Sequence, residues 1–492
     1  MSSISGQQDF DNVAKDNLSH AVNVEESMGR SLGISRAKLL RKIDLILMPM
    51  MLLTYGMQYL DKAVLGFAAV YTLQKDNHLI GQDYSWVNSV FYFGYLGFQY
   101  PLLALVPKFR IERYLGFVIA AWGLTLMMTN FSHSFAGLVI ARIIMGALES
   151  IVAPSFLIIV SQWYTRDEQP IRQSVWFCGT PLFAIFGGLI GYAVGHTNSL
   201  SIASWRVMFL IFGGVTFVWG VIFAFIFPGD PDHARFFTPS EREALSLTVK
   251  SQATGGKGPW KWSQAKEAMM DPKTYVFFTI GLCNTIPAGA LSGFSSLIIK
   301  NLGFSAVDTQ LIGIPANVIQ LASLIFAGIM CTKIPNLRLY AMSLCCIPSI
   351  IGTVLLHTLP SHAKWGRVVS LWIIYTNSVG LSVSFAVIGG NVTGATKKAT
   401  VTFLLFLGYC AGSIAAPQLF IASEQSRGYP TGIKAMLGCF CVLFIMPFIL
   451  RGLYTWENKR RDRAAMEGEV QPDATHFEDA TDIQMRSFRY VL

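Results

Sequence analysis

The chain has 492 residues, of which 52% are hydrophobic and 14% charged, with a formal net charge of +9. Charged residues make up about 25% of an ordinary soluble protein, so the composition excludes a soluble globular domain and indicates a polytopic membrane protein. The basic residues lie in short loops and tails, which argues against a nucleic-acid patch and makes them topology determinants.

Residues 1–35 are polar and mixed in charge, carry no signal peptide, and read as a disordered tail. Six apolar runs long enough to cross a bilayer follow, at about 43–71, 85–106, 114–131, 135–161, 173–195 and 205–227. A polar stretch, 228–272, contains "FPGDPDHARFFTPSERE" and "GGKGPWKW". Six more runs lie at about 274–299, 306–330, 337–357, 366–389, 399–421 and 434–454, and a charged tail occupies 456–492. The expected fold is therefore all-α, with 12 transmembrane helices in two six-helix bundles, 36–227 and 273–455, as in a transporter built from two halves.

Lys and Arg set the expected orientation. Arg36, Lys38, Arg41 and Lys42 precede span 1, and Lys108, Arg110, Arg113, Arg166, Arg172, Lys333, Arg338, Lys397 and Lys398 fill the even-numbered loops. The odd-numbered loops hold fewer, so the positive-inside rule puts both tails and the central loop in the cytoplasm. The glycine-rich faces "GGLIGYAVG" of span 5 and "GYCAGSIAAP" of span 11 read as helix-packing surfaces.

The eight cysteines form no CxxC pair and read as small buried hydrophobes, and the histidines have no metal-ligand spacing. No cofactor or metal is expected. A primary pump is disfavoured because no GxxxxGK[ST] phosphate loop occurs, and no catalytic constellation suggests an integral membrane enzyme. The sequons at Asn130 and Asn391 read as unused, one hugging the membrane and the other cytoplasmic.

Four charges inside the apolar runs carry the functional reading. Span 1 holds Gln58, Asp61 and Lys62 within one turn, in "YLDKAVLGFA"; span 4 holds Arg142 and Glu149 in "ARIIMGALESIVAPSF". Arg142 and Glu149 share a helix face about 10 Å apart along the axis, and Pro154 disturbs the helix just beyond. The rise per residue puts Lys62 about 13 Å and Arg142 about 10 Å from the same membrane face, with Glu149 nearer the midplane. The second half supplies amides and hydroxyls instead, including Asn284, Asn317, Gln320, Asn377 and Ser378.

Each such charge costs about 2.5–3.5 kcal/mol at a helix centre on insertion scales, so the four need partners or water. One reading is a neutral quartet that only locks two helices. The other is a polar cavity in which Lys62 and Arg142 receive an anion, Gln58, Asn284 and Asn377 add polar contacts, and Glu149 and Asp61 exchange protons. Glu149 when ionised would neutralise Arg142, and protonating it would leave Arg142 and Lys62 with uncompensated positive charge, so proton and anion would assist each other's binding.

These residues resemble the anion:cation symporter branch of the major facilitator superfamily, most closely the fungal allantoate permease group. The resemblance runs from about Arg36 to Lys459. It rests on the span 1 and span 4 stretches, on "QWYTRDEQPIR" and "FPGDPDHARFFTPSERE", and on "GNVTGATKKATVTFLLFLGYCAGSIAAPQLF". It implies proton-coupled uptake of a small organic anion such as allantoate, ureidosuccinate, nicotinate or pantothenate, with Lys62, Arg142 and Glu149 at the charged positions used for binding and coupling. It also implies a fungal source, the plasma membrane and a monomer whose partners are the anion, protons and lipid. Efflux or intracellular transport of a secondary metabolite, or a transporter-like nutrient sensor, are the alternatives.

Overall fold

The computed structural model describes residues 36–164, 168–196, 202–229, 234, 236–242, 245, 260–334, 336–360, 362–466, 479–485 and 487–492. The expectations for residues 1–35 and for most of the central stretch lie outside these. The first half consists of Arg36–Ala69, Asp83–Leu103, Ile111–Phe131, Phe135–Val160, Ile171–His196 and Ser204–Ile226. The second consists of Pro272–Asn301, Ala306–Cys331, Arg338–Thr358, Lys364–Asn391, Ala395–Gln418 and Pro430–Met466. Eleven of these are long and apolar enough to span a membrane by composition alone. Asp83–Leu103, whose apolar residues are interrupted by Tyr84, Ser85, Asn88, Ser89, Gln99 and Tyr100, is the exception, and it completes an architecture consistent with 12 spans in two bundles.

Several helices outrun the hydropathy pattern. Span 1 begins at Arg36 and span 12 ends at Met466, because Lys, Arg, Ala and Leu propagate a helix well beyond the hydrocarbon. Within span 4, one helix ends at Glu149 and the next starts at Val152. Pro154 explains the break, since its ring has no N–H and collides with the carbonyl four residues back, at Ser150. Glu149 thus sits where the helix is interrupted.

The basic loops gather at one end of the bundles, where some of their charges are spent on ion pairs. Arg36 pairs with Glu168 at 2.7 Å, Lys42 with Glu241 at 2.8 Å and Arg172 with Asp44 at 2.8 Å. The stretch after span 6 packs on this same end: Phe236 stacks on Trp163, and Lys42 lies over Phe237. The glycine faces pack helices, as expected. Gly408 and Gly412 of span 11 meet Phe278, Leu282 and Thr285 of span 7, while Gly187 meets Leu60 and Phe67 of span 1.

At the opposite end the two halves are bonded to each other. Tyr84 Oη donates to the Gly293 carbonyl (2.7 Å), Lys300 Nζ to Val70 (2.6 Å), Gln310 Nε2 to Phe67 (3.2 Å) and Ser89 Oγ to Ile414 (2.8 Å). Spans 1 and 7 come so close that a Cβ on Gly66 would lie 2.5 Å from the Ser292 carbonyl oxygen. Gly66→Ala is therefore expected to hold this end apart and slow transport several-fold without loss of membrane insertion. Uptake normalised to the amount of protein at the membrane checks it, and unchanged uptake would show that the contact does not limit the cycle.

The tail does not simply trail from span 12. Residues 479–485 and 487–492 return to the basic end of the second half, where Asp482 Oδ1 lies 2.7 Å from Lys397 Nζ and Asp479 lies 3.0 Å from Lys261. Lys397 is also within 2.9 Å of Glu267 and 3.6 Å of Asp271. Glu267 belongs to a short helix, Trp262–Met270, formed inside the central stretch. Asn391 exchanges two hydrogen bonds with Val491, and Arg461 donates to the carbonyls of Asp482, Met485 and Phe488. The sequon asparagine Asn391 is thus buried and engaged.

Candidate substrate cavity

Spans 1 and 4 bring Lys62 and Glu149 together. Lys62 Nζ lies 3.4 Å from Glu149 Oε2, with the lysine side chain 16% exposed and the carboxylate fully buried. Gln58, one turn before Lys62, donates from Nε2 to the Glu149 backbone carbonyl at 3.0 Å. The Glu149 carbonyl is available because the helix is interrupted there. Lys62 also lies over the rings of Phe91 (5.2 Å) and Tyr95 (5.6 Å), contacts that favour a cation on an aromatic face.

Of the two cations that the sequence sets near Glu149, it is Lys62 and not Arg142 that pairs with it directly. Arg142 and Glu149 are two helical turns apart on one helix, beyond contact, whereas the long lysine of span 1 reaches across. Arg142 is 3% exposed, and its Nε and Nη2 find no hydrogen-bond partner among the described residues. A buried guanidinium with two unused donors is costly unless an anion or water completes it.

Asp61 faces away from Lys62, as adjacent helical residues must. Its Oδ2 accepts from Trp122 Nε1 of span 3 (2.6 Å) and Thr216 Oγ1 of span 6 (3.1 Å), while Oδ1 has no partner among the described residues. No basic side chain among the described residues is within ion-pair distance of it. Trp122→Phe is expected to destabilise the first half by about 1–3 kcal/mol, because it takes a donor from a fully buried carboxyl. The thermal unfolding midpoint of purified protein checks this, and no shift would mean that Thr216 suffices.

A cavity lies between the halves, on the basic-end side of Lys62. Gln58 and Lys62 line it, together with Gln173, Ser382 and a set of aromatic rings. Arg142, Asn284 and Asn377, expected to contact the substrate, are not among its lining residues. Asn284 approaches Gly380, and the Asn377 carbonyl oxygen accepts from the Cys346 thiol at 3.7 Å. Both amides are buried inside the second half. Asn317 lines a second cavity, with Tyr59, Gln310 and Tyr375, and Gln320 donates to Ser378 at 2.7 Å.

Sequence reading missed the aromatic lining and the partners of Asp61. Trp122 carried a usable signal, since a tryptophan in an apolar span needs an acceptor for its N–H. The lining had none, because an aromatic residue in a membrane helix faces lipid, packing or cavity with the same periodicity.

Comparison with known proteins agrees with this architecture. The profile of the Major Facilitator Superfamily matches residues 51–417. An uncharacterized transporter of Schizosaccharomyces pombe is 33% identical over 92% of this chain and 87% of its own. The allantoate permease of Saccharomyces cerevisiae is 31% identical over 92% and 86%, and a thiamine pathway transporter of the same yeast 30% identical over 92% and 86%. Among solved structures, a bacterial homologue of the human lysosomal transporter Spinster, inward-facing and occupied, superposes with a TM-score of 0.61 at 12% identity, covering 82% of this chain and 95% of that one. The chain is a multi-pass membrane transporter rather than an enzyme, and it belongs to the Major Facilitator Superfamily, where its relatives include the fungal allantoate permease.

Proposed function

We propose that this transporter takes up a small organic anion together with protons by alternating access. The observation that carries the reading is the Lys62–Glu149 pair at the wall of the cavity between the halves. With Glu149 ionised, Lys62 is neutralised. When Glu149 takes up a proton, the ammonium is released to an entering carboxylate, so each ligand favours the other. Arg142 lies outside the cavity lining, but its Nε and Nη2 have no partner among the described residues, so it supplies further positive charge nearby, and its planar fork suits a carboxylate. Asp61, buried without an ion partner, is the second proton site of this scheme.

The hydrogen bonds that close the end opposite the basic loops, and the cavity on the other side of Lys62, fit one half-cycle of alternating access. By the positive-inside rule that cavity is on the cytoplasmic side, with both termini in the cytoplasm. Relatives include an allantoate permease, which supports a carboxylate substrate; a plasma-membrane location and action as a monomer belong to the same proposal.

The test is uptake of radiolabelled small carboxylates into yeast cells lacking their own carriers, at about pH 5 and about pH 7, with and without an uncoupler. The expected result is accumulation at the lower pH that the uncoupler abolishes. Accumulation indifferent to the uncoupler would remove proton coupling from the reading.

A further inference from the structure

We propose that the short helix Trp262–Met270 is a membrane-surface anchor that binds anionic phospholipid in the leaflet at the basic end. It gives a use to the motif "GGKGPWKW", which the transport cavity leaves aside. The last residues of that motif stand out of the fold. Trp260 is 54% exposed and Trp262 78%, and their rings meet edge to face with centroids 5.9 Å apart. Lys266, Met269 and Met270 are exposed as well. The i, i+4, i+7, i+8 spacing of Trp262, Lys266, Met269 and Met270 puts them on one face of the helix.

Two tryptophans and two methionines left in water forfeit a large apolar area, so this face calls for a cover. Position and charge make that cover lipid. Span 7 begins at Pro272, directly after the helix, and its half-exposed Tyr275 donates from Oη to the Met269 carbonyl at 2.9 Å. The apolar face is therefore continuous with the outer surface of a membrane span, at the level where that span leaves the hydrocarbon. Tryptophan is favoured at this level because its ring is apolar and its N–H polar. The charge is one-sided. Between Trp260 and Tyr275 the acids are Glu267 and Asp271, and both turn inward to Lys397, at 2.9 and 3.6 Å. Lys266 is exposed and makes no ion pair among the described residues. An ammonium beside tryptophans on a surface-lying helix suits an anionic headgroup.

The other side of the helix holds span 11. Gln264 Oε1 accepts from the N–H groups of Thr396 (3.1 Å) and Lys397 (3.3 Å), in the first turn of that span, where backbone donors have no partner in their own helix. Gln264 Nε2 donates to the Asp479 carbonyl at 2.8 Å. A helix held by lipid therefore steadies both the start of span 11 and the returning tail.

The experiment reads Trp260 and Trp262 in full-length protein reconstituted into phosphatidylcholine nanodiscs that contain a minority of brominated lipid, whose bromines quench tryptophan on contact. The signal of the two residues is the difference between the unmodified protein, with its 11 tryptophans, and Trp260→Phe/Trp262→Phe. Both positions are exposed, so the double variant should keep the fold, checked by gel filtration. The expected result is quenching of this signal by brominated lipid and little quenching by aqueous iodide. Brominated phosphatidylserine should quench about fivefold more effectively than brominated phosphatidylcholine at the same fraction, the effect of a single lysine near an anionic surface. Lys266→Gln should remove that preference and leave quenching by brominated phosphatidylcholine in place.

Quenching by iodide without quenching by lipid would overturn the anchor and leave the face to a soluble protein. Equal quenching by the two lipids, or a preference that survives Lys266→Gln, would overturn the anionic assignment.

Discussion

Replacing Glu149 with glutamine is expected to uncouple the transporter: exchange of labelled for unlabelled anion continues, while uphill accumulation falls to the equilibrium level. Glutamine keeps the shape and cannot ionise. Lys62 then has no carboxylate 3.4 Å away to compete with the substrate at any pH. Anion binding therefore loses its pH dependence, a change of about tenfold to a hundredfold in the coupling between the two ligands. Reconstituted protein assayed for counterflow and for gradient-driven uptake separates the two functions. Retained accumulation with an ordinary pH profile would assign coupling elsewhere, with Asp61 the next group to test. Lys62→Gln is the complementary variant. It removes the substrate cation and leaves Glu149 buried and unpaired, so both exchange and accumulation should be lost.

The second large effect lies far from the cavity. Lys397→Met is expected to destabilise the second half by about 3–5 kcal/mol, the usual result of removing one partner from a buried ion cluster. Lys397 and Asp482 are each 1% exposed, and Glu267 and Asp271 share the same ammonium. Without it, three carboxylates face each other, and among the described residues only Lys273 is near Asp271 (3.3 Å) and Asp482 (3.9 Å). A lower thermal midpoint and proteolytic release of residues 479–492 are the readouts. Lys398→Met, next along the chain and exposed, is the control and should change neither. Equal behaviour of the two variants would mean that the docked tail adds no stability.

Acid should loosen the same docking. Burial opposes the charge on Asp479, but the Ala395 N–H and the Lys261 ammonium outweigh it and hold the carboxyl below its ordinary range. A depressed carboxyl contributes stability above its unfolded value, about 3.9, and that contribution disappears as the pH falls through the lower folded value. Tail release followed by proteolysis against pH should therefore stay flat near neutrality and rise only in acid. A rise around neutral pH would point to a different group.

Much of the molecule was legible from its order of residues. Apolar length fixes where a helix must cross lipid, since backbone groups there have no water to bond to. The spans, the two halves and the four intramembrane charges follow from that. Pro154 likewise announces the break beside Glu149, because a missing N–H is a local property. Partnership is not local. Periodicity placed Arg142 and Glu149 on one face, yet the ion pair formed between helices, where a lysine could reach and an arginine two turns away could not. Asp61 and Lys62 are neighbours in sequence and point to different surroundings, one toward Trp122 and Thr216, the other toward the cavity.

Lys397 and Lys398 show the same division. As a basic pair they mark which side of the membrane a loop occupies, and sequence reads them alike. Only the folded chain makes Lys397 the centre of a buried cluster with a returning tail, because that contact joins residues 85 positions apart, Lys397 and Asp482. Lipid exposure, helix length and charge cost were thus set by the sequence itself. Which charges meet, which rings face the cavity and where the tail docks were decided by helix packing, which brings distant side chains within ångströms.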